Sequence, residues 1–219
     1  MSSGLTKEEI NRKLLHVLAL VLPVGIFYGP DFCGVERIWA CILMLGMFSF
    51  SIFVESARWR YGSFGTWFLR YFGSMLRKEE AHQVTGATYL LAGSVVCSFV
   101  SLHSEPAAAC AFLGLTFFIL GDAAAALVGK AIGKIKIGGK TLEGSIGCCL
   151  VCLSLAFFVF SNLPGFLDDW GGEFSLGDML VLSVTVSLLE LVPVRLGSLI
   201  INDNLYVPAV TSSVALLIR

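Results

Sequence analysis

Charge is scarce in this sequence: only 14% of its 219 residues are Asp, Glu, Lys or Arg, while 56% are hydrophobic. A water-soluble domain carries roughly 25% charged residues, so this chain has too little polar surface to coat a globule in water. A soluble fold is excluded, and several membrane spans take its place. The net charge of −1 identifies no partner, because the charges are sorted by position. No nucleic acid is expected among the partners. A cleavable signal is also missing. Lys7, Arg12 and Lys13 precede an apolar run, but no small-x-small site follows, and the run ends in Phe27-Tyr28-Gly29-Pro30. It reads as a retained first span.

Paired cysteine motifs are missing too. The count of seven is odd, and all but Cys33 fall in apolar runs. Cys149 and Cys152 have the C-x-x-C spacing of a redox or metal site, yet no second pair and no clustered His accompany them. They read as small packing residues.

What remains is apolar sequence in long runs at about 14–29, 37–54, 86–103, 107–129, 143–161, 177–194 and 205–218. Backbone groups in hydrocarbon must bond within their own segment, and the runs lack the two-residue alternation of a barrel. The expected fold is therefore all-α: a polytopic transmembrane helical bundle of about seven spans. The stretch from Tyr61 to Met75 is aromatic, carries Arg70 and leads into Arg77-Lys78-Glu79-Glu80, as an interfacial helix would. No repeat or linker divides the chain, so residues 1–219 read as a single catalytic domain. Threading seven spans from an inside N-terminus puts thirteen basic residues inside and only Arg37 and Arg219 outside. The positive-inside rule then predicts N-in, C-out, with the working parts at the cytosolic face.

The richest chemistry lies between Gly121 and Ser145. This stretch holds Lys130, Lys134, Lys136 and Lys140 together with six glycines, and is bracketed by Asp122 and Glu143. Glycines let backbone N–H groups approach phosphate, lysines neutralise it, and carboxylates hold the Mg²⁺ that accompanies a nucleotide. A topology-fixing loop with helix-packing glycines would show the same lysines. A carboxylate at membrane depth, such as Asp122, favours a site instead. Gly139-Lys140-Thr141 resembles the tail of a P-loop, but Lys134 stands where that motif needs glycine, and no strand precedes it.

Other polar residues gather on the same predicted face. Arg12 and His16 lie one helical turn apart. Glu55 and Arg58 close the second span, where an i,i+3 ion pair explains them equally well. His82 and Thr85 enter the third span. Glu190 sits inside the sixth, and Asp203-Asn204 precedes the seventh, where a helix cap offers a local explanation.

Three groups of residues resemble the polyprenol kinase family, which includes dolichol kinase, phytol kinase and CTP-dependent diacylglycerol kinase. They are the run from Gly121-Asp122 through Gly139-Lys140-Thr141-Leu142-Glu143-Gly144-Ser145, the Arg12-Lys13 … His16 start with His82 … Thr85, and the late Glu190 … Asp203-Asn204 … Pro208. The likeness implies transfer of the terminal phosphoryl of CTP to a lipid alcohol, either a phytol-like prenol, a polyprenol or diacylglycerol. In that reading Asp122, Lys140 and Glu143 are catalytic. Lys130, Lys134, Lys136, Gly138, Gly139, Thr141 and Asn204 meet the nucleotide, and Arg12, His16, His82 and Thr85 meet the lipid substrate. Asp122, Glu143, Glu190 and Asp203 are the expected Mg²⁺ ligands, with Asp122 the first choice for accepting the hydroxyl proton. The rival readings are a cytidylyltransferase making a CDP-lipid, and an ion- or proton-coupled transporter using Asp122 and Glu190.

Overall fold

A computed structural model describes residues 7–196 and 199–219. The described chain is almost wholly helical. In order come α1 (Lys7–Leu18), α2 (Val21–Phe27), α3 (Gly29–Cys33), α4 (Ile38–Arg60) and α5 (Gly62–Phe72). They are followed by α6 (Gly86–Ser101), α7 (Glu105–Ile132), α8 (Leu142–Ser154), α9 (Phe166–Trp170), α10 (Leu176–Leu191) and α11 (Asp203–Ile218). Two hairpins of two-residue strands interrupt them: β1 (Lys136–Ile137) with β2 (Lys140–Thr141), and β3 (Arg195–Leu196) with β4 (Leu199–Ile200).

Helix starts follow capping chemistry. Thr85, Ser104, Thr141 and Ser175 accept from the backbone N–H three residues on, at the heads of α6, α7, α8 and α10. Asn202 caps α11 through Asn204 N–H at 3.0 Å, which leaves Asp203 and Asn204 free for tertiary contacts.

Three helices among the described residues are long and apolar enough to cross a membrane: Ile38–Arg60, Glu105–Ile132 and Leu142–Asn162. The last includes one π turn and a final 3₁₀ turn after α8. The helices α6, α10 and α11 have 16 residues each, about 24 Å of helix against a hydrocarbon core of about 30 Å. The first predicted span is divided at Ala19 and Leu20 into α1 and α2. The exterior is apolar, with Leu18, Phe50, Phe53 and Phe158 each about two-thirds exposed, a surface suited to lipid rather than water.

α7 is the central post. Ala107 through Phe112 and most of the next two turns are buried, and α7 packs against α8, α11, α6, α10, α2 and α1. Small residues permit this crowding. A Cβ on Gly121 would stand 2.7 Å from Cys148 Sγ, and one on Gly144 would stand 2.6 Å from the Ala125 carbonyl oxygen. These glycines, and the buried Cys148 and Cys152, are what lets α7 and α8 meet so closely. One end of the bundle is sealed by rings, with Phe27 stacked on Phe112 at 4.8 Å and Phe160, Phe166 and Trp170 around them. Apart from Arg37–Glu105, the described ion pairs lie at the opposite end, where α1, the 73–85 segment, the β1–β2 hairpin and the head of α11 converge.

Candidate functional site

Asp122 lies on α7 and receives α1. Lys13 Nζ donates to Asp122 Oδ2 at 2.6 Å and to its backbone oxygen at 3.2 Å. His16, one turn further along α1, brings Nε2 to 3.3 Å from the same Oδ2 without the alignment of a hydrogen bond, and that nitrogen is buried with no other partner. The His16 ring stands edge-on to Phe118. A second cluster centres on Lys140. Its ammonium donates to Glu190 Oε1 on α10 and, at 2.7 Å, to Asp203 Oδ2 on α11. Burial works against the Lys140 charge, but Glu190 and Asp203 outweigh it and raise its pKa to about 12. It is therefore a fixed cation near neutral pH, unsuited to carrying a proton. The second oxygen of Glu190, Oε2, is buried without a partner.

Two cavities open beside these clusters. One, of about 390 Å³, is lined by Lys130, Gly139, Lys140, Thr141, Gly144, Ser145 and Glu190. The other, of about 330 Å³, is lined mainly by apolar side chains, among them Leu15, Leu18, Leu22, Met47, Leu90 and Leu91. Arg12, Lys13, Arg77 and Asp122 border both. The first presents five cationic side chains and two carboxylates to its interior, a balance that suits a polyphosphate. The second suits a hydrocarbon chain.

The predicted residues separate under this geometry. Asp122, Arg12, Lys130, Gly139, Lys140, Thr141 and Glu190 border the polar cavity, while His16, Thr85 and Asn204 border the apolar one. Asn204, expected at the nucleotide, instead donates from Nδ2 to the Gly86 oxygen at 2.8 Å and fastens α11 to α6. Asp203 reaches the site only through Lys140. Glu143, Lys134, Lys136, Gly138 and His82 line neither cavity. Both oxygens of Glu143 accept from Ile135 N–H, at 3.2 and 3.3 Å, and so hold the root of the hairpin. Gly138 and Gly139, at φ +57° and +92°, form its two-residue turn, a conformation in which a side chain would be strained at both positions.

Two charged residues outside the predicted set border both cavities. Lys13 is the direct partner of Asp122; its i,i+3 spacing to His16 marks both for one helix face. Arg77 borders both cavities, and nothing local in its sequence marks it.

Among the described residues, no group of three or more His, Cys, Asp and Glu side chains is assembled to hold a metal ion. Mg²⁺ commonly takes one or two carboxylates and completes its shell with phosphate oxygens and water. Glu190, which borders the polar cavity and keeps Oε2 unpartnered, fits that shared kind of site; Asp203, whose two oxygens meet Lys140 and the Asn204 N–H, lines neither cavity.

No family model matches the chain, and no solved structure matches it. It is similar to an uncharacterized protein of Rickettsia prowazekii (strain Madrid E), 24% identical over 203 residues that cover 91% of this chain and 89% of that protein.

Proposed function

We propose that this protein is a membrane lipid kinase, transferring the terminal phosphoryl of a nucleoside triphosphate to a lipid alcohol. The observation that carries the reading is the meeting of a cation-lined cavity and an apolar cavity at Asp122, with Arg12, Lys13 and Arg77 around it. A triphosphate in the first and a lipid tail in the second would bring the hydroxyl and the terminal phosphorus together there.

In that arrangement Lys130 and Lys140 hold the phosphates, with backbone at Gly139 close by. The lipid hydroxyl attacks the terminal phosphorus in line. Its oxygen forms the new P–O bond, its proton passes to Asp122, and the bond to the leaving diphosphate breaks. Lys13, already on Asp122, places positive charge beside the transferring phosphoryl oxygens. Such catalysis is mainly positioning and charge stabilisation. Mg²⁺, if bound, would be held by Glu190 through its unpartnered Oε2 and would supply neutralisation of the phosphate oxygens. CTP as donor rests on the resemblance of the Gly121–Ser145 stretch to the polyprenol kinases, as does the choice among prenol, polyprenol and diacylglycerol. In this reading the protein is a seven-span integral membrane protein, N-in and C-out, with the lysine hairpin at the cytosolic face. The basic-residue asymmetry and the gathering of all described ion pairs but Arg37–Glu105 at one end of the bundle support that reading.

The test is purified protein in liposomes with Mg²⁺, a lipid alcohol, and CTP labelled at its terminal or its innermost phosphate. Terminal label in the lipid with CDP released is the expected result. Innermost label in the lipid fraction with pyrophosphate released, given a lipid phosphate acceptor, would make the protein a cytidylyltransferase. No product from either label would favour transport. ATP run in parallel decides the nucleotide.

A further inference from the structure

The segment 73–85 links the aromatic helix α5 to α6 and packs against α1. It carries Met75, Leu76 and Glu80 to the apolar cavity and Arg77 to the border of both cavities. Its backbone is fastened at several points. Glu80 Oε2 accepts from Arg77 N–H at 2.8 Å, and Glu80 Oε1 accepts from Gly86 N–H at 2.9 Å. Arg58 donates to the Ala81 oxygen at 3.2 Å and to the Gln83 oxygen, and Glu55 accepts from Thr85 N–H at 2.9 Å. Arg77 is thus a long cationic side chain at the end of a strap tied to two helices. Asp122 already engages Lys13, while Glu190 and Asp203 engage Lys140, so the charge of both lysines is partly neutralised where they stand.

We infer that Arg77 grips the phosphoryl group during transfer, straddling the donor and acceptor cavities. The inference rests on the kinase reading above. Negative charge is spread over the equatorial oxygens of a transferring phosphoryl, and a guanidinium meets two of them at once, which an ammonium does not. The strap fixes the backbone from which that exposed side chain reaches the two cavities, which narrows where its fork can sit. Arg70, exposed on the preceding α5, borders neither cavity and carries the same charge near the same interface, so it separates gripping from anchoring.

The experiment compares wild type, Arg77→Ala, Arg77→Lys and Arg70→Ala in liposomes. The probes are terminally labelled CTP and ATP, each with phytol, a polyprenol and a diacylglycerol, and the pair most active in wild type is used throughout. Arg77→Ala should lose kcat by about 10²–10³-fold, with KM for the nucleotide changed by less than about threefold. Millimolar methylguanidinium should restore part of that loss, as it would not for a structural defect. Arg77→Lys should keep the fold and the charge and still fall at least roughly tenfold below wild type; it decides the matter if the alanine variant does not fold. Arg70→Ala should match wild type. Unchanged kcat in Arg77→Ala, full activity in Arg77→Lys, or an equal loss in Arg70→Ala overturns the inference while leaving the kinase reading intact. A wild-type protein that transfers no terminal label overturns both.

Discussion

Two charged clusters stand at the same end of the bundle, and they are finished to different degrees. In the first, Glu55 and Arg58 are buried side by side on α4, with Nε to Oε2 at 2.5 Å. Glu55 Oε1 accepts from Thr85 N–H, Thr85 hydroxyl and Thr88 hydroxyl, and Arg58 donates onward to two carbonyls and lies over the Phe68 ring. Neither side chain has a buried polar atom left over among the described residues. In the second, Lys13–Asp122 and Lys140–Glu190–Asp203 face cavities, and His16 Nε2 and Glu190 Oε2 are left without hydrogen bonds. A completed network specifies a structure, whereas an incomplete one is costly unless something else completes it. The first cluster holds the strap, and the second leaves His16 Nε2 and Glu190 Oε2 beside the two cavities.

The difference can be broken by mutation, beginning with the largest effect. Asp122→Asn should reduce terminal phosphoryl transfer by about 10³–10⁴-fold, combining a lost proton acceptor and a misplaced Lys13. Protein should remain folded, because Lys13 borders open cavities where water can reach it. Glu55→Ala should do the reverse in kind. It strands a buried guanidinium and should cost about 3–5 kcal/mol of stability, read as a lowered unfolding temperature in detergent. A folded, active Glu55→Ala protein would erase the distinction between the clusters.

Smaller effects sharpen it. Glu190→Gln removes a buried charge from the unfinished cluster. Activity should fall by about 10–100-fold while thermal stability is unchanged or raised, the trade expected at a functional site. A stability loss as large as that of Glu55→Ala would make Glu190 a structural partner of Lys140. Glu143→Gln should be smallest, below about threefold in rate, because the amide oxygen can still accept from Ile135 N–H. A loss as deep as that of Asp122→Asn would return Glu143 to the reacting centre.

Asp122 and Glu190 stood out in the sequence because each is a charge set in apolar sequence, a cost that demands a partner wherever the chain folds; Lys140 stood out through the lysine- and glycine-rich stretch around it. The glycines and the remaining hairpin residues were less legible, because local geometry can use them all. Gly138-Gly139 closes a two-residue turn, Gly121 and Gly144 admit the neighbouring helix, and Glu143 ties down its own loop. Asn204 carried a cap signal that Asn202, two residues earlier, in fact fulfils. Glu55 and Arg58 were satisfied on paper as an i,i+3 pair, so the reach to Thr85 and Thr88, some thirty residues on, left no trace in the pattern. Arg77 was hidden for the opposite reason, since a basic residue after an aromatic helix already has an ordinary explanation at a membrane interface. Helicity was plain from composition, but the division of α1 from α2 at Ala19 and Leu20 carries neither proline nor glycine at the break.

The most direct measurement is a pair of KM determinations on variants placed in one cavity each. Leu15 is half-exposed on the apolar cavity, and Lys130 borders the polar one. Leu15→Trp should raise KM for the lipid alcohol by roughly tenfold or more and leave KM for the nucleotide within about twofold; Lys130→Ala should do the opposite. If both variants shifted the same KM, or if Leu15→Trp acted only on the nucleotide, the two cavities would not be the acceptor and donor halves of one phosphoryl-transfer site.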